Sequence, residues 1–284
     1  MALIIGGLIM GFSPVFVREA EVGAFASAFW RVLFALPVLY TWARLERKPA
    51  TKSSPISLAA LLAGVFFAGD LVFWHLSILH TTMANATFMV CLSPVWVAVL
   101  SPYILGEKTN PKALFGLIIC VIGLVLLISS SFQIDRSRLL GDFYGVITSF
   151  FLGAYFVAIR FARKTASSGQ LFWSSTLVTT GLLFAVALIA GGSLWPHSSS
   201  GWLSLISLGV VTHAGGQGLV TIAMGLLTAV FSSLVIFIEA VAAAFFGWLI
   251  FEETMSPLQW AGAALILFGV WISRPEQIEN TPKY

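Results

Sequence analysis

Glu239 is the charged residue whose surroundings least resemble an ordinary protein surface. It lies near the middle of the segment Thr228–Ile250, which contains no other charged side chain. A carboxylate at the centre of a bilayer costs several kcal/mol unless it is paired, hydrated or protonated. The functional interpretation is a proton-coupling or cation-binding group whose protonation depends on the cargo. The alternative is a neutral carboxylic acid that is hydrogen-bonded to a neighbouring helix.

Asp70 and Arg31 are two further charged residues within apolar segments. Asp70 lies within the third predicted span, and Arg31 lies in the outer half of the second. By the direction of the chain, both side chains would sit on the outer side of the membrane midplane. The sequence therefore allows an Arg31–Asp70 ion pair, acting either as a gate or, the interpretation favoured here, as a static link between two helices. Trp74 follows Asp70 by four residues and shares its helical face, where it would line a cavity or simply pack.

Polar and aromatic side chains at helical spacing extend this candidate site. His213 and Gln217 are one turn apart in a glycine-rich span, and Asn85 and Trp96 share a face of a span that Pro94 should kink. Aromatic stripes at this spacing are more often packing residues, so a structural role remains the alternative for each. We predict that the substrate cavity is lined by Trp74, Asn85, Trp96, Tyr155, Trp173, His213 and Gln217, with Glu239, Asp70 and Arg31 as coupling or gating residues.

The composition places these residues in a membrane. The chain has 284 residues, of which 58% are hydrophobic and only 10% are charged, whereas a soluble domain carries about 25% charged residues. The apolar runs are unbroken over lengths that a helix needs to span a bilayer. Strands of a transmembrane barrel would instead alternate apolar and polar residues. The fold class expected is an all-α membrane protein.

The small net charge of +3 and the two cysteines add no further chemistry. The basic residues occur in short loops, which predicts membrane orientation and not a nucleic-acid partner. Cys91 and Cys120 both fall inside apolar runs, so neither a disulfide framework nor a metal site is expected. No cofactor is expected. No basic region precedes the first apolar run, so we expect no cleavable signal peptide.

The apolar runs predict ten membrane-spanning helices, at about 2–17, 24–42, 57–79, 83–103, 112–129, 142–161, 170–190, 201–224, 227–250 and 259–272. With a cytoplasmic N-terminus, the inner loops and tail hold eleven basic residues, namely Arg44, Arg47, Lys48, Lys52, Lys108, Lys112, Arg160, Arg163, Lys164, Arg274 and Lys283. The outer loops then hold only Arg18, Arg136 and Arg138. The positive-inside rule therefore predicts a multi-pass protein of the cell inner (cytoplasmic) membrane with both termini in the cytoplasm.

An internal repeat divides the chain into two halves. The segment Glu107–Pro111 is matched by Glu253–Pro257 at an offset of 146 residues, and Gly116 and Gly123 are matched at the same offset. A second similarity lies near the starts of the two halves. Gly11 is followed seven residues later by Arg18 (GFSPVFVR), and Gly153 is followed seven residues later by Arg160 (GAYFVAIR). Five spans in each half force opposite orientations, so residues 1–131 and 132–284 are predicted to form two inverted five-helix repeats.

Three segments carry a resemblance to a known family, namely WHLSILHTTMANATFMVCLSPVWVAVL, GEKTNPKALFGLIICVIGLVLL and EETMSPLQWAGAALILFGVW. They resemble the EamA-type drug/metabolite transporter family, in which a Glu-x-x-x-Pro turn and a glycine-punctuated span end each repeat. Arg31 in FWRVLFALPVL is similar to the arginine of that family's second span. The resemblance implies a ten-helix fold with a central cavity and export of small metabolites, amino acids among them, or of toxic compounds. Only Met1 and Ala2 precede the first span, so we expect a short native tail to be missing.

The sequence as a whole predicts a secondary transporter that works by alternating access, with amino acids as the best guess for its cargo. An uncoupled facilitator or channel-like permease, and a multidrug exporter of cationic compounds, remain the alternatives. An enzyme is not expected, because the chain contains neither a Walker sequence nor an HExxH motif. The expected partners are a small-molecule substrate and the lipid bilayer, and the protein is expected to be a monomer or a homodimer.

Overall fold

The computed structural model describes residues 1–46, 57–129 and 136–274. Within these ranges the chain is helical and has no strand. In chain order the helices are α1 (Ala2–Arg18), α2 (Ala24–Leu45), α3 (Leu58–His80), α4 (Met83–Ile104), α5 (Pro111–Ile128), α6 (Arg136–Ala162), α7 (Ser168–Ala190), α8 (Ser199–Ala223), α9 (Ala229–Phe251) and α10 (Pro257–Ile272). Eight of these described helices, α2 to α9, are long and apolar enough to cross a membrane, and α1 and α10 are shorter apolar helices.

Some sequence predictions fall outside the described residues. The predicted boundary between the halves, at residues 131 and 132, is one of them. The basic residues Arg47, Lys48, Lys52 and Lys283 also lie outside the described ranges.

Local chemistry explains where the helices begin. Asn110 caps α5 by accepting a hydrogen bond from the backbone N–H of Lys112, and Pro111 supplies the first helical residue. At the matching position of the second half, Ser256 and Gln259 form a capping box at the start of α10. The repeated Glu-x-x-x-Pro segment is therefore a turn followed by a capped, proline-initiated helix in both halves.

Four helices are irregular near the centre of the molecule. The helix α1 is interrupted at Gly11–Phe12, and α4 is interrupted at Cys91–Leu92, directly before Ser93 and Pro94. The interruption of α4 lies next to Pro94, where the sequence predicts a kink. The helix α9 is interrupted at Leu234, and α8 is π-helical over Leu208–Gln217. At such irregularities, some backbone N–H and C=O groups lack the hydrogen bond that a regular helix would give them. π-Helical turns are also frequent at functional sites.

Several pairs of packed helices in one half have counterparts in the other half. The helix α3 packs against α6 as α8 packs against α1, and α4 packs against α6 as α9 packs against α1. The matching helices α2 and α7 pack against each other, and so do α5 and α10. These main contacts of the described helices are therefore matched between the two halves.

The contact between α5 and α10 is made through glycines. Gly116 lies against the carbonyl of Gly269, and Gly123 lies against the carbonyl of Gly262, so the two helices run in opposite directions. A Cβ atom on Gly262 would be 2.5 Å from the backbone nitrogen of Leu127. Only glycine permits this separation of the two backbones.

Candidate functional site

A cavity of about 710 Å³ lies between the two halves of the helix bundle. Its walls come from the middle of the bundle, where Met10 and Phe156 lie, and from one end, where it reaches Arg18 and Glu253. We name this the Glu253 end. The opposite end, which holds the α4–α5 turn and the α6–α7 connection, is named the Glu107 end.

Besides Arg18 and Glu253 at its end, the cavity is lined by three charged side chains from three helices, namely Arg31 of α2, Asp70 of α3 and Glu239 of α9. The guanidinium of Arg31 interacts electrostatically with both carboxylates. Within the described residues, however, the Nε atom of Arg31 and the Oε2 atom of Glu239 are buried without a hydrogen-bond partner. The cavity therefore contains opposite charges that are near one another but not directly bonded.

The predicted Arg31–Asp70 ion pair is not formed. The contacts of the described residues include no nitrogen–oxygen distance of 4.0 Å or less between these two side chains. A static link between α2 and α3 through this pair is therefore wrong for this structure. Both side chains instead line the cavity.

The remaining cavity wall mixes aromatic and polar groups. Trp74 and Gln217 line it as predicted, and the buried imidazole of His75 lines it next to Trp74, with 4.9 Å between the ring centres. The Nδ1 atom of His75 is 2.6 Å from the carbonyl oxygen of Leu71, whereas its Nε2 atom has no partner among the described residues. The cavity can therefore offer aromatic faces, an amide and an imidazole beside its charges.

Two predicted cavity residues lie behind the wall and not in it. Tyr155 is 1% exposed, and its hydroxyl oxygen accepts a hydrogen bond of 3.1 Å from the Gln217 side-chain amide. His213 is fully buried between the rings of Phe67 and Phe172, with its Nε2 atom 3.2 Å from the hydroxyl of Thr176. Both residues support side chains of the cavity wall, but the prediction that they line the cavity is wrong.

Three other predicted residues serve helix packing away from the cavity. Asn85 donates a hydrogen bond of 3.1 Å to the carboxylate of Asp142, which joins α4 to α6. Trp96 joins the same helices, because its indole N–H donates to the Ser149 hydroxyl at 3.0 Å. Trp173 contacts Tyr40, with 5.7 Å between the ring centres. Helical spacing identified the faces of these residues correctly but could not tell which face the cavity occupies.

The Glu107 end is closed by a network of charged groups. Arg160 contacts Glu107 at 2.6 Å and also donates to the carbonyl oxygen of Met224 at 2.8 Å. The second carboxylate oxygen of Glu107 accepts the backbone N–H of Ala229, at the start of α9, at 2.8 Å. Lys164 donates to the Leu105 carbonyl at 2.9 Å. These bonds connect the α4–α5 turn, α6, α8 and α9.

Charged loop residues with shifted pKa values occur at both ends of the bundle. The Ser198 hydroxyl donates a hydrogen bond of 2.8 Å to Glu21 at the Glu253 end, and this bond, aided by the backbone N–H groups of His197 and Ser198, lowers the pKa of the Glu21 carboxyl. At the Glu107 end, burial lowers the pKa of Arg163. The hydrogen bonds between Glu21 and residues His197 and Ser198 also hold the chain in place at the start of α8.

Sequence reasoning gave no site role to Arg18 or Glu253, although both line the cavity. The internal repeat could have identified them, because it relates Arg18 to Arg160 and Glu253 to Glu107 at the closed Glu107 end. The sequence also gave no reason to place Asp70 and Glu239 near each other, yet α3 and α9 bring both to the same cavity.

A bundle of apolar helices around a charged cavity that reaches only one end of the molecule is characteristic of membrane transporters. The model of the EamA-like transporter family matches residues 1–129 and again 139–274. The chain therefore belongs to the EamA-like transporter family, with the family domain present twice, and it is a membrane transporter and not an enzyme.

Curated relatives carry transporter names. An uncharacterized transporter of Archaeoglobus fulgidus is 28% identical over 96% of this chain and 94% of its own length. The pseudopaline exporter CntI of Pseudomonas aeruginosa is 27% identical over 87% of this chain and 83% of its own length. The fold is also similar to that of a protein of known crystal structure, with a TM-score of 0.84. The alignment covers 96% of this chain and 94% of the other chain, at 16% sequence identity. That last similarity shows the fold alone.

Proposed function

We propose that this transporter exports small metabolites by alternating access, with amino acids as the first candidates for its cargo. The observation that carries the proposal is the placement of Arg31, Asp70 and Glu239 in one cavity, with no ion pair between them and no other charged partner in the part of the chain that the structure describes. An amino acid carries both an ammonium and a carboxylate group. A single cargo molecule would therefore pair with the guanidinium and with a carboxylate of the wall, and would offset the cost of keeping these charges out of water.

The architecture supports alternation between two inverted five-helix repeats, with ten spans in all. Each of the proposed repeats, residues 1–131 and 132–284, contains one match to the family domain. The matched helix contacts of the two halves and the opposite directions of α5 and α10 are expected if an axis in the membrane plane relates the halves. Rocking of one half against the other would then expose the same cavity to each side in turn.

The distribution of charge favours one orientation of the protein in the membrane. The Glu107 end carries Lys108, Lys112, Arg160, Arg163 and Lys164, which favours the cytoplasmic side of an inner membrane for this end and for both termini. The cavity would then face outward in this structure. Export is supported further by the relative that is named a pseudopaline exporter.

A cationic compound is the second candidate cargo. Apart from the Arg18–Glu253 pair at its open end, the cavity is lined by two carboxylates and one guanidinium, and Trp74 and Phe67 add aromatic faces that attract cations. An uncoupled facilitator would use the same cavity without proton exchange. The response to an imposed pH gradient separates these mechanisms.

The test is uptake of a panel of labelled amino acids into proteoliposomes, with and without a pH gradient. We expect uptake by the unmodified protein to rise with the gradient. Glu239→Gln should reduce it to the level seen without a gradient, because the amide keeps the size of the side chain but cannot exchange a proton. Glu19→Gln is the matched control, since this exposed carboxylate lies outside the cavity.

Each alternative gives a different result. A normal gradient response of Glu239→Gln would show that this residue does not couple transport to protons. Uptake that ignores the gradient in every variant would favour a facilitator. No uptake of any amino acid would contradict the proposed cargo and direct the search to cationic compounds.

A further inference from the structure

Two arginine–glutamate pairs occupy equivalent places at opposite ends of the bundle. Arg18 ends α1 and contacts Glu253, whereas Arg160 lies in the last turn of α6 and contacts Glu107. The internal repeat relates Glu107 to Glu253 and Arg18 to Arg160. The two ion pairs are thus the same feature of the repeat, seen once at each end.

The two pairs differ in state. Arg160 and Glu107 are 2.6 Å apart, and their side chains are only 19% and 16% exposed. Arg18 and Glu253 are 3.5 Å apart, each side chain is 59% exposed, and both line the open cavity. A partly buried, short ion pair resists separation far more than an exposed one.

The closed pair also holds the end of the bundle together. Glu107 accepts the backbone N–H of Ala229, and Arg160 donates to the carbonyl of Met224, so the turn, α6, α8 and α9 are tied to one another. The repeat relates Ala229 to Met83, which begins α4. In this structure Met83 lines the open cavity beside the Glu253 end.

We infer that these two pairs are the gates of the transporter and that they close in alternation. In the structure described, Arg160 and Glu107 close one end while Arg18 and Glu253 leave the other open. In the opposite state the exposed Arg18–Glu253 contact becomes short and buried and Glu253 accepts the N–H of Met83, while Glu107 releases Ala229 and its pair with Arg160 becomes long and exposed. This inference rests on the proposed alternating-access function. The competing interpretation is that both pairs are fixed links at the ends of helices.

Cysteine labelling tests this inference without any knowledge of the cargo. Ala243 lines the open cavity, and its repeat counterpart Val97 is fully buried. Ala243→Cys and Val97→Cys are each made in a background with Cys91→Ser and Cys120→Ala. A membrane-impermeant maleimide is then applied to intact cells for Ala243→Cys, which is accessible in the state described, and to inside-out vesicles for Val97→Cys, which should react only in the opposite state.

Breaking the closed gate should move the two labelling rates in opposite directions. With Glu107→Gln, we expect labelling of Ala243→Cys to fall about tenfold and labelling of Val97→Cys to rise, because the state with the Glu107 end closed loses stability. Glu253→Gln is the matched variant. It weakens the opposite state, so labelling of Ala243→Cys should stay unchanged or rise.

The pair of reporters separates gating from damage to the fold. A protein that Glu107→Gln partly unfolds would label faster at both positions, which would overturn the inference. Equal rates with and without Glu107→Gln would also overturn it and leave the ion pairs as fixed links. Either result would leave the proposed transport function to be decided separately by the uptake assay.

Discussion

At the scale of single residues, charge in a low-dielectric interior persists only where something compensates for it. Arg31, Asp70 and Glu239 lie close enough to interact, yet among the described residues none of them forms the short ion pair that would hold it in place. In a binding site, charged side chains that lack partners in the protein can pair with a charged cargo. In a structural network, by contrast, the side chains already have their partners within the protein.

Asn85 shows the second kind of arrangement. Its amide donates to Asp142 and its oxygen accepts from the Thr82 hydroxyl at 2.9 Å. We expect Asn85→Ala to lower the free energy of unfolding by about 1–3 kcal/mol, because it leaves buried polar groups unpaired. The apparent affinity for cargo should stay unchanged. Thermal unfolding in detergent and the KM of uptake measure the two effects.

Thr87 is the matched control for Asn85, two residues further along the same helix. Its side chain lines the cavity. Thr87→Ala should therefore change KM and leave the thermal stability nearly unchanged. If Asn85→Ala altered KM while stability was preserved, Asn85 would belong to the binding site after all.

These cases show how far sequence could identify the site. A charge in an apolar segment is conspicuous, so Glu239, Asp70 and Arg31 could be chosen from the sequence, and Trp74 followed from its spacing. Tyr155 and His213 could not be distinguished from lining residues. Spacing shows which side chains share a face of a helix, but the direction of that face depends on how the helix is rotated in the bundle.

At the scale of helices, the contact between α5 and α10 joins the two halves through small residues. The backbones approach until Gly262 touches Leu127 and Gly123. Without a hydrophobic effect between helices in lipid, close packing of this kind supplies much of their attraction.

Gly262→Ala should therefore destabilise the protein. The added Cβ would meet backbone atoms at 2.5 and 2.6 Å, which cannot rotate away. We expect a loss of about 1–3 kcal/mol, typical of overpacking, visible as a lower unfolding temperature in detergent. Gly181→Ala is the control, because a Cβ on this exposed glycine of α7 meets no atom within 4 Å. It should keep or raise the unfolding temperature, since alanine favours a helix. Equal effects of both changes would show that the close contact contributes nothing.

Helix boundaries were the most predictable part of the fold. Asn110–Pro111 and Ser256–Pro257 carry their own start signals, and the structure begins α5 and α10 at those prolines. The π-helical segment of α8 was not predictable from local sequence. Its extra residue depends on how α1 and α2 pack against Gly216 and Gly209, which is a tertiary effect.

At the scale of the whole molecule, the orientation in the membrane decides what the open cavity means. A cavity open at the Glu253 end releases cargo outside the cell only if the Glu107 end faces the cytoplasm. The basic residues of the Glu107 end favour this orientation, because positively charged loops are retained on the cytoplasmic side. The same orientation makes the Arg160–Glu107 pair the inner gate.

Two single cysteines test this orientation in the background without Cys91 and Cys120. Lys108→Cys lies in the α4–α5 turn and Ser193→Cys in the α7–α8 connection, and both positions are exposed. We expect an impermeant maleimide to label Ser193→Cys in intact cells and to label Lys108→Cys only after permeabilisation. Labelling in the reverse order would place the open cavity toward the cytoplasm. The structure would then represent the state that loads cargo for export, and Arg160–Glu107 would be the gate through which cargo leaves.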